Sequence, residues 1–224
     1  KLVWNLSKKS TKRMGSQLKI KVCGMKHNEN VSDLIELQPN FIGFIFYPQS
    51  KRFVGENFDK TIVENIPQTV KKVGVFVNDE IENVSAKVLK YKLDFVQLHG
   101  NETSEYCEKL YRQNVNIIKA FSVNTTFDFD VLENYQNYVQ FFLFDTPTLG
   151  FGGSGKKFDW EILEKYHLEK PFFLSGGIDV DDIQEIINMN HEKLFAIDIN
   201  SRFETEPAKK DISKIKTFIE KLRQ

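Results

Sequence analysis

The chain is poor in the residues that mark several protein classes at once. Its 224 residues hold two cysteines, Cys23 and Cys107. That is too few for a disulfide framework and points to a reducing cytoplasm. No apolar run comes near the roughly 20 residues that span a bilayer, so no membrane partner is expected. The four histidines, His27, His99, His167 and His191, show no metal-ligand spacing with one another or with the cysteines, and no metal is expected. A surplus charge of either sign is also lacking, since 31 basic residues face 31 acidic ones. Five of the basic ones crowd into residues 1–13 without an acid, which leaves 26 against 31 in the rest. A body of that balance offers nucleic acid no basic face. The basic arm has no apolar h-region and is not a secretory signal. Residues 1–17 read as a disordered tail, a linker from an upstream domain or a vector-derived remnant ahead of Met14.

What the chain does have is a regular alternation of short apolar runs and amphipathic stretches, from Leu18 to the end. The strand readings are Leu18–Cys23, Phe41–Phe46, Val73–Val77, Leu93–Leu98, Val115–Ala120, Val139–Phe144, Pro171–Leu174 and Leu194–Ile199. Between them lie helical patterns, such as Ile81, Val84 and Val88 on one stripe, with Asn78 read as the cap. A helix near Phe129–Tyr135 and another from Asp159 through Tyr166 complete the series. The last carries Ile212, Ile215, Phe218, Ile219 and Leu222. Eight β-then-α units of about 25 residues imply a parallel sheet with helical crossovers. Eight is the number that closes a (β/α)8 TIM barrel, expected here as one domain over 18–224. An open doubly wound sheet is the alternative. A closed barrel places catalytic groups at C-terminal strand ends and phosphate after strands seven and eight.

The polar candidates do sort to those ends: Cys23, Arg52, His99, Asp145, Ser175 and Asp198. Asp145 closes an apolar strand and precedes a loop with four glycines between Gly150 and Gly155, the density that suits a lid or close backbone approach to a ligand. The run Gly150 to Lys157 nearly fits a P-loop. Lys157, however, stands where a hydroxyl should bind Mg²⁺, and the next helix starts beyond Asp159, so that reading is rejected. Ser175-Gly176-Gly177 ahead of a helix suits an anion through exposed N–H groups. Asn200-Ser201-Arg202 follows strand eight, where a short extra helix can start. Cys23 reads as a thiolate base or as a small core residue, and Asp145 as a general acid kept protonated by burial or as a turn former. Arg52 reads as a bidentate clamp for a carboxylate or as a solvated loop residue. Cys107, on an apolar helix face, reads as structural.

Six segments together resemble one family. They are Lys21-Val22-Cys23-Gly24-Met25, Gly43 to Pro48 with Ser50 to Phe53, Val73 to Asn78, Val96 to Glu102, Gly152 to Lys156, and Leu174 to Ile178. In order and spacing the set resembles phosphoribosylanthranilate isomerase, over residues 18–222. The resemblance implies a cofactor-free Amadori rearrangement in tryptophan biosynthesis, acting on a small phosphosugar–anthranilate. It implies Cys23 as general base, Asp145 as general acid and Arg52 on the anthranilate carboxylate. Gly153, Ser154, Gly155, Ser175, Gly176, Gly177 and Ser201 match regions that enclose the sugar or bind phosphate, and His99 and Asp198 join them as substrate contacts. A monomer or homodimer is expected, associated or not with other enzymes of the pathway.

Two positions depart from the family pattern. Arg202 and Ala208 stand where the family usually has glycine, and Arg202 is read as an added cation for the phosphate. A sister phosphosugar synthase would need a catalytic lysine and glutamate among the strand ends, and Lys19, Lys21 and Lys119 read as strand-interior residues not so arranged. A phosphosugar-binding barrel without activity would need neither Cys23 nor Asp145.

Overall fold

The computed structural model describes residues 18–147 and 157–224. The basic arm and the glycine loop with Gly153, Ser154 and Gly155 lie outside the described residues. Eight parallel strands close into a barrel in sequence order. They are β1 (Lys19–Val22), β2 (Phe41–Ile45), β3 (Lys71–Phe76), β4 (Phe95–Leu98), β5 (Ile117–Ser122), β6 (Phe141–Asp145), β7 (Phe172–Leu174) and β8 (Leu194–Ile199). Closure is made by β1 against β8, with Lys19 opposite Ala196 and Lys21 opposite Asp198. The open-sheet alternative is thereby excluded.

Side chains alternate across each strand, and the two faces form separate apolar clusters. Phe41, Val73, Ile118, Ala120, Leu143, Phe173 and Ala196 fill the barrel interior, with Phe41, Phe95, Phe141, Phe173 and Phe195 meeting ring to ring. The outward residues, among them Ile42, Phe44, Phe142 and Phe144, pack under the surrounding helices. The many phenylalanines are thus core on both faces of the sheet. The same parity turns Lys21, Cys23, Gln97, His99, Asp145, Ser175 and Asp198 inward, above the phenylalanine plug.

The outer elements include α1 (Asn28–Glu36), α2 (Lys60–Glu64), α3 (Ile81–Tyr91), α4 (Ser104–Tyr111), α5 (Ile183–Met189) and α6 (Ile212–Arg223). Two crossovers differ in kind from the expected helices. Phe129–Asn134 and Trp160–Lys165 are six-residue 3₁₀ helices, the second capped by Asp159 as its sequence indicated. Asn78 is not the cap of α3. It takes a left-handed φ of 49°, and its N–H is given to Glu102, leaving Glu80 at the cap position. Strand five starts two residues later than its apolar run, because Val115 belongs to the turn after α4. Among the described residues no helix is long and apolar enough to cross a membrane.

Buried charges tie the catalytic-end loops to the barrel. Lys119 points outward between β4 and β5 and donates to Glu102 and to the carbonyls of Leu98, Gly100 and Ala120. Glu102 in turn accepts the N–H groups of Asn78 and Gly100, so the loop carrying His99 is fixed by a satisfied buried pair. Beyond β8, the 3₁₀ turn Ser201–Phe203 leads into a small hairpin of Glu204–Glu206 and Lys209–Lys210. Arg202 sits in that turn without a positive φ, so the family's glycine is not needed there. Ala208 does need it, with φ 70° and 2% exposure. A left-handed alanine is strained by its Cβ. Ala208→Gly is therefore expected to raise the urea-unfolding free energy by about 0.5–1 kcal/mol, and a fall on substitution would contradict that strain.

Candidate active site

The C-terminal ends of the strands surround a cleft. Nine of the residues singled out from sequence line it: Cys23, His99, Asp145, Ser175, Gly176, Gly177, Asp198, Ser201 and Arg202. Cys23 stands on one side, at the end of β1. Gly43 on β2 makes room for it, since a Cβ at Gly43 would lie 2.8 Å from Sγ. Asp145 stands at the end of β6. Its Oδ1 accepts the N–H of Thr146 at 2.8 Å, and its Oδ2 lies 3.1 Å from Nε2 of His99. Nδ1 of His99 meets Nε2 of Gln97 at 2.7 Å.

Beneath Cys23 lies a charged pair that was not expected. Lys21, fully buried, donates to both carboxylate oxygens of Asp198 at 2.9 Å. The sequence makes Lys21 a strand-interior residue, and it is interior. Its face is the inward one, however, which brings it to the base of the cleft. Against burial, which by itself lowers it, Asp198 and Cys23 raise the Lys21 ammonium above its usual range. Asp198 is bound to Lys21 from below and lines the cleft from 4% exposure, so its substrate-facing surface is small. Burial pushes the Cys23 thiol above its usual range, with Lys21 and Lys210 pulling the other way.

Arg52 does not line the cleft. Its stem passes over Gly24, and its Nε and Nη2 grip the Glu204 carboxylate at 2.8 and 2.7 Å. Glu204 also binds Lys210, whose Nζ reaches Asn200 as well. Against burial, Arg52 and Lys210 hold Glu204 below the usual carboxylate range. Burial pulls the Lys210 ammonium down to about 8 although Glu204 opposes it. This cluster joins the loop after β2 to the turn after β8, across some 150 residues of sequence. Nothing local in the sequence marks it.

On the side of β7, Gly176 and Gly177 take φ of 95° and 66°. A Cβ on Gly176 would lie 2.6 Å from the Thr146 nitrogen and 2.8 Å from Oδ1 of Asp145, so only glycine lets the β7 loop lie against the end of β6. The turn Ser201–Phe203 begins on the same side. These two N–H-rich segments face the cleft together, an arrangement that suits an anion. Cys107 is fully buried on α4, as its apolar face indicated. Asp130, Glu133 and His167 bring ligand atoms within 4.8 Å of one another, but all three are exposed and none lines the cleft.

A family model described as N-(5'-phosphoribosyl)anthranilate (PRA) isomerase matches residues 20–221. The N-(5'-phosphoribosyl)anthranilate isomerase of Parabacteroides distasonis is 47% identical over 204 residues, covering 91% of this chain and 92% of its own length. A solved phosphoribosyl anthranilate isomerase in complex with reduced 1-(o-carboxyphenylamino)-1-deoxyribulose 5-phosphate is 31% identical. It superposes with a TM-score of 0.74 over 92% of this chain and 98% of that one. Monomers generated from the dimeric isomerase of Thermotoga maritima match with the same identity, coverage and TM-score.

The surroundings of the two thiols predict an order of reaction. Iodoacetamide attacks the thiolate, which forms as pH rises. Cys23 opens on the cleft, whereas burial holds Cys107 up at about 12 with no exposed surface. Peptide mapping is expected to find alkylation at Cys23 first, at a rate still climbing where that of a free thiol levels off, with Cys107 untouched in the folded protein. Equal labelling of both, or a rate at Cys23 already flat at pH 7, would contradict this picture.

Proposed function

The chain belongs to the N-(5'-phosphoribosyl)anthranilate isomerase family, and we propose that Cys23 and Asp145 are the base and the acid of its reaction. The family's enzymes are isomerases of tryptophan biosynthesis, and the reaction converts an aminoaldose into an aminoketose. The furanose ring must open, which needs a proton on the ring oxygen, and Asp145 gives it. The anilino nitrogen lone pair then forms the iminium as the ring C–O bond breaks. That cation acidifies the hydrogen on the sugar C2, and the Cys23 thiolate removes it. The resulting enaminol tautomerises to the ketone.

The observation that carries this reading is the placement of the two groups at the ends of β1 and β6, lining one cleft from different sides. An acid and a base that act on neighbouring atoms of one substrate need such a disposition. Burial raises the Cys23 thiol while the ammoniums of Lys21 and Lys210 oppose it, and the Thr146 N–H is placed to receive the charge left on Asp145 once its proton is given. Gly176, Gly177 and Ser201 hold the phosphate in this reading, and Arg202 adds a cation to it. Asp198 and His99 contact the sugar region. Gly153, Ser154 and Gly155 are assigned to the sugar and phosphate in this reading because they match the family's segment there. Arg52 serves the anthranilate carboxylate with the Nη1 edge that Glu204 leaves to it, or by exchanging partners. The protein works without a cofactor, in the cytoplasm, as a monomer or homodimer.

Phosphoribosylanthranilate generated in situ loses its anthranilate fluorescence as it isomerises. Cys23→Ala and Asp145→Ala are each expected to slow that loss by about 10²- to 10⁴-fold, with unchanged unfolding midpoints. Near-full activity in either variant would remove that residue from its role. Binding of phosphate ligands with no wild-type turnover would favour a binding barrel instead. Arg202→Gly is expected to raise KM several-fold with kcat held, and an unchanged KM would exclude Arg202 from the phosphate contact.

A further inference from the structure

On the Asp145 side of the cleft stands Gln97, part of the Val96 to Glu102 segment but given no role of its own there. Gln97 lies two positions before His99, on the same inward face of β4, and is 1% exposed. Its Oε1 is buried without a hydrogen-bond partner among the described residues. An orphaned buried carbonyl is destabilising, and a leucine or methionine would fill the same space without it. What only the amide supplies is the N–H that reaches Nδ1 of His99 at 2.7 Å. With the amide turned this way its nitrogen donates and does not accept, which leaves Nδ1 as the acceptor and fits the Nε2–H tautomer. The one ring N–H is then on Nε2, aimed at Oδ2 of Asp145 at 3.1 Å.

We infer that Gln97 is a positioning residue for the acid step: by fixing the tautomer of His99 it keeps an N–H donor on the carboxyl group of Asp145. The inference rests on the reading of Asp145 as the acid. When Asp145 gives its proton to the ring oxygen, negative charge develops on its two oxygens. Oδ1 already has the Thr146 N–H and Oδ2 has the His99 N–H, so both donors are in place before the charge forms. With the other tautomer, Nε2 would face Asp145 as an acceptor. The acid proton would then be shared with the imidazole rather than delivered to the substrate. No proton is gained or lost in choosing the tautomer, since it only moves the single ring proton from one nitrogen to the other.

The test combines spectroscopy with kinetics. Long-range ¹H–¹⁵N correlation spectra of the ¹⁵N-histidine-labelled protein report the tautomer of His99, assigned by its loss in His99→Gln. Wild type is expected to show Nε2–H, and an Nδ1–H tautomer there overturns the inference without any further variant. Gln97→Glu places an acceptor against Nδ1 and is expected to draw the ring proton to that side. It should lower kcat by about 10- to 100-fold while KM changes less than about twofold. Gln97→Leu, which imposes neither tautomer, should fall between. In a His99→Gln background the side-chain amide donates to Asp145 whatever stands at position 97, so adding Gln97→Glu should cost less than about threefold. A full further loss there would show that Gln97 acts by packing and would overturn the inference. Asp145→Asn, run in the same assay, separates the two claims. If it stays active the acid reading itself fails. If it is dead while Gln97→Glu leaves both kcat and the His99 spectrum unchanged, only the role of Gln97 fails.

Discussion

The cleft depends on the seam where the barrel closes. Lys21 and Asp198 are register partners across β1 and β8, and their side chains join inside the barrel with both carboxylate oxygens engaged. Because side chains alternate with a period of two, a slip of one residue at that seam would turn Lys21 and Cys23 toward the helices together. A buried ion pair adds little net stability, but breaking it strands a charge in the interior. The seam therefore disfavours wrong registers more than it strengthens the right one. The phenylalanine plug lies directly below and the catalytic-end cleft above.

The same seam sets the electrostatics around Cys23. Cys23 opens on the cleft from a dry environment that favours the neutral thiol, and two lysines oppose that preference from below and from the β8 turn. Lys210 is itself held by Glu204, which holds Arg52 in turn. The loops after β2 and β8 thus meet at one carboxylate beside the thiol. The surroundings of Asp145 hold no lysine or arginine contact of this kind among the described residues: they are Thr146 N–H, His99 and, behind it, Gln97. A cationic half and a neutral half face each other across one substrate-sized space, which suits a reaction that needs a base and an acid at once.

Much of this was legible in the sequence, for identifiable reasons. Eight apolar runs alternating with amphipathic ones gave the barrel, and strand ends gave nine cleft residues, because a parallel barrel turns all those ends to one side. Lys21 and Gln97 stand in the quoted segments but were given no part in the site, although each lies two residues before a singled-out residue, Cys23 and His99, and so shares its face. The Arg52–Glu204–Lys210 cluster was not legible at all, since its members meet only after β1, β2 and β8 have assembled. Local chemistry misled at Asn78, a good cap by type, because its Oδ1 is taken by the N–H of Asn101 on the next loop and its backbone is left-handed. The short 3₁₀ crossovers carry the caps and apolar residues of α-helices, and their six-residue span leaves one turn or two in which the difference is decided by packing.

The most direct test of the central claim, that Cys23 and Asp145 work on neighbouring atoms from different sides of one cleft, is a crystal structure with a reduced product analogue bound. The account predicts Sγ of Cys23 within about 3–3.5 Å of the sugar C2, the Asp145 carboxyl beside the former ring oxygen, and the phosphate between Gly177 and Ser201. An analogue seated with its sugar turned away from Cys23, or with its phosphate at the Lys21 end of the cleft, would contradict it.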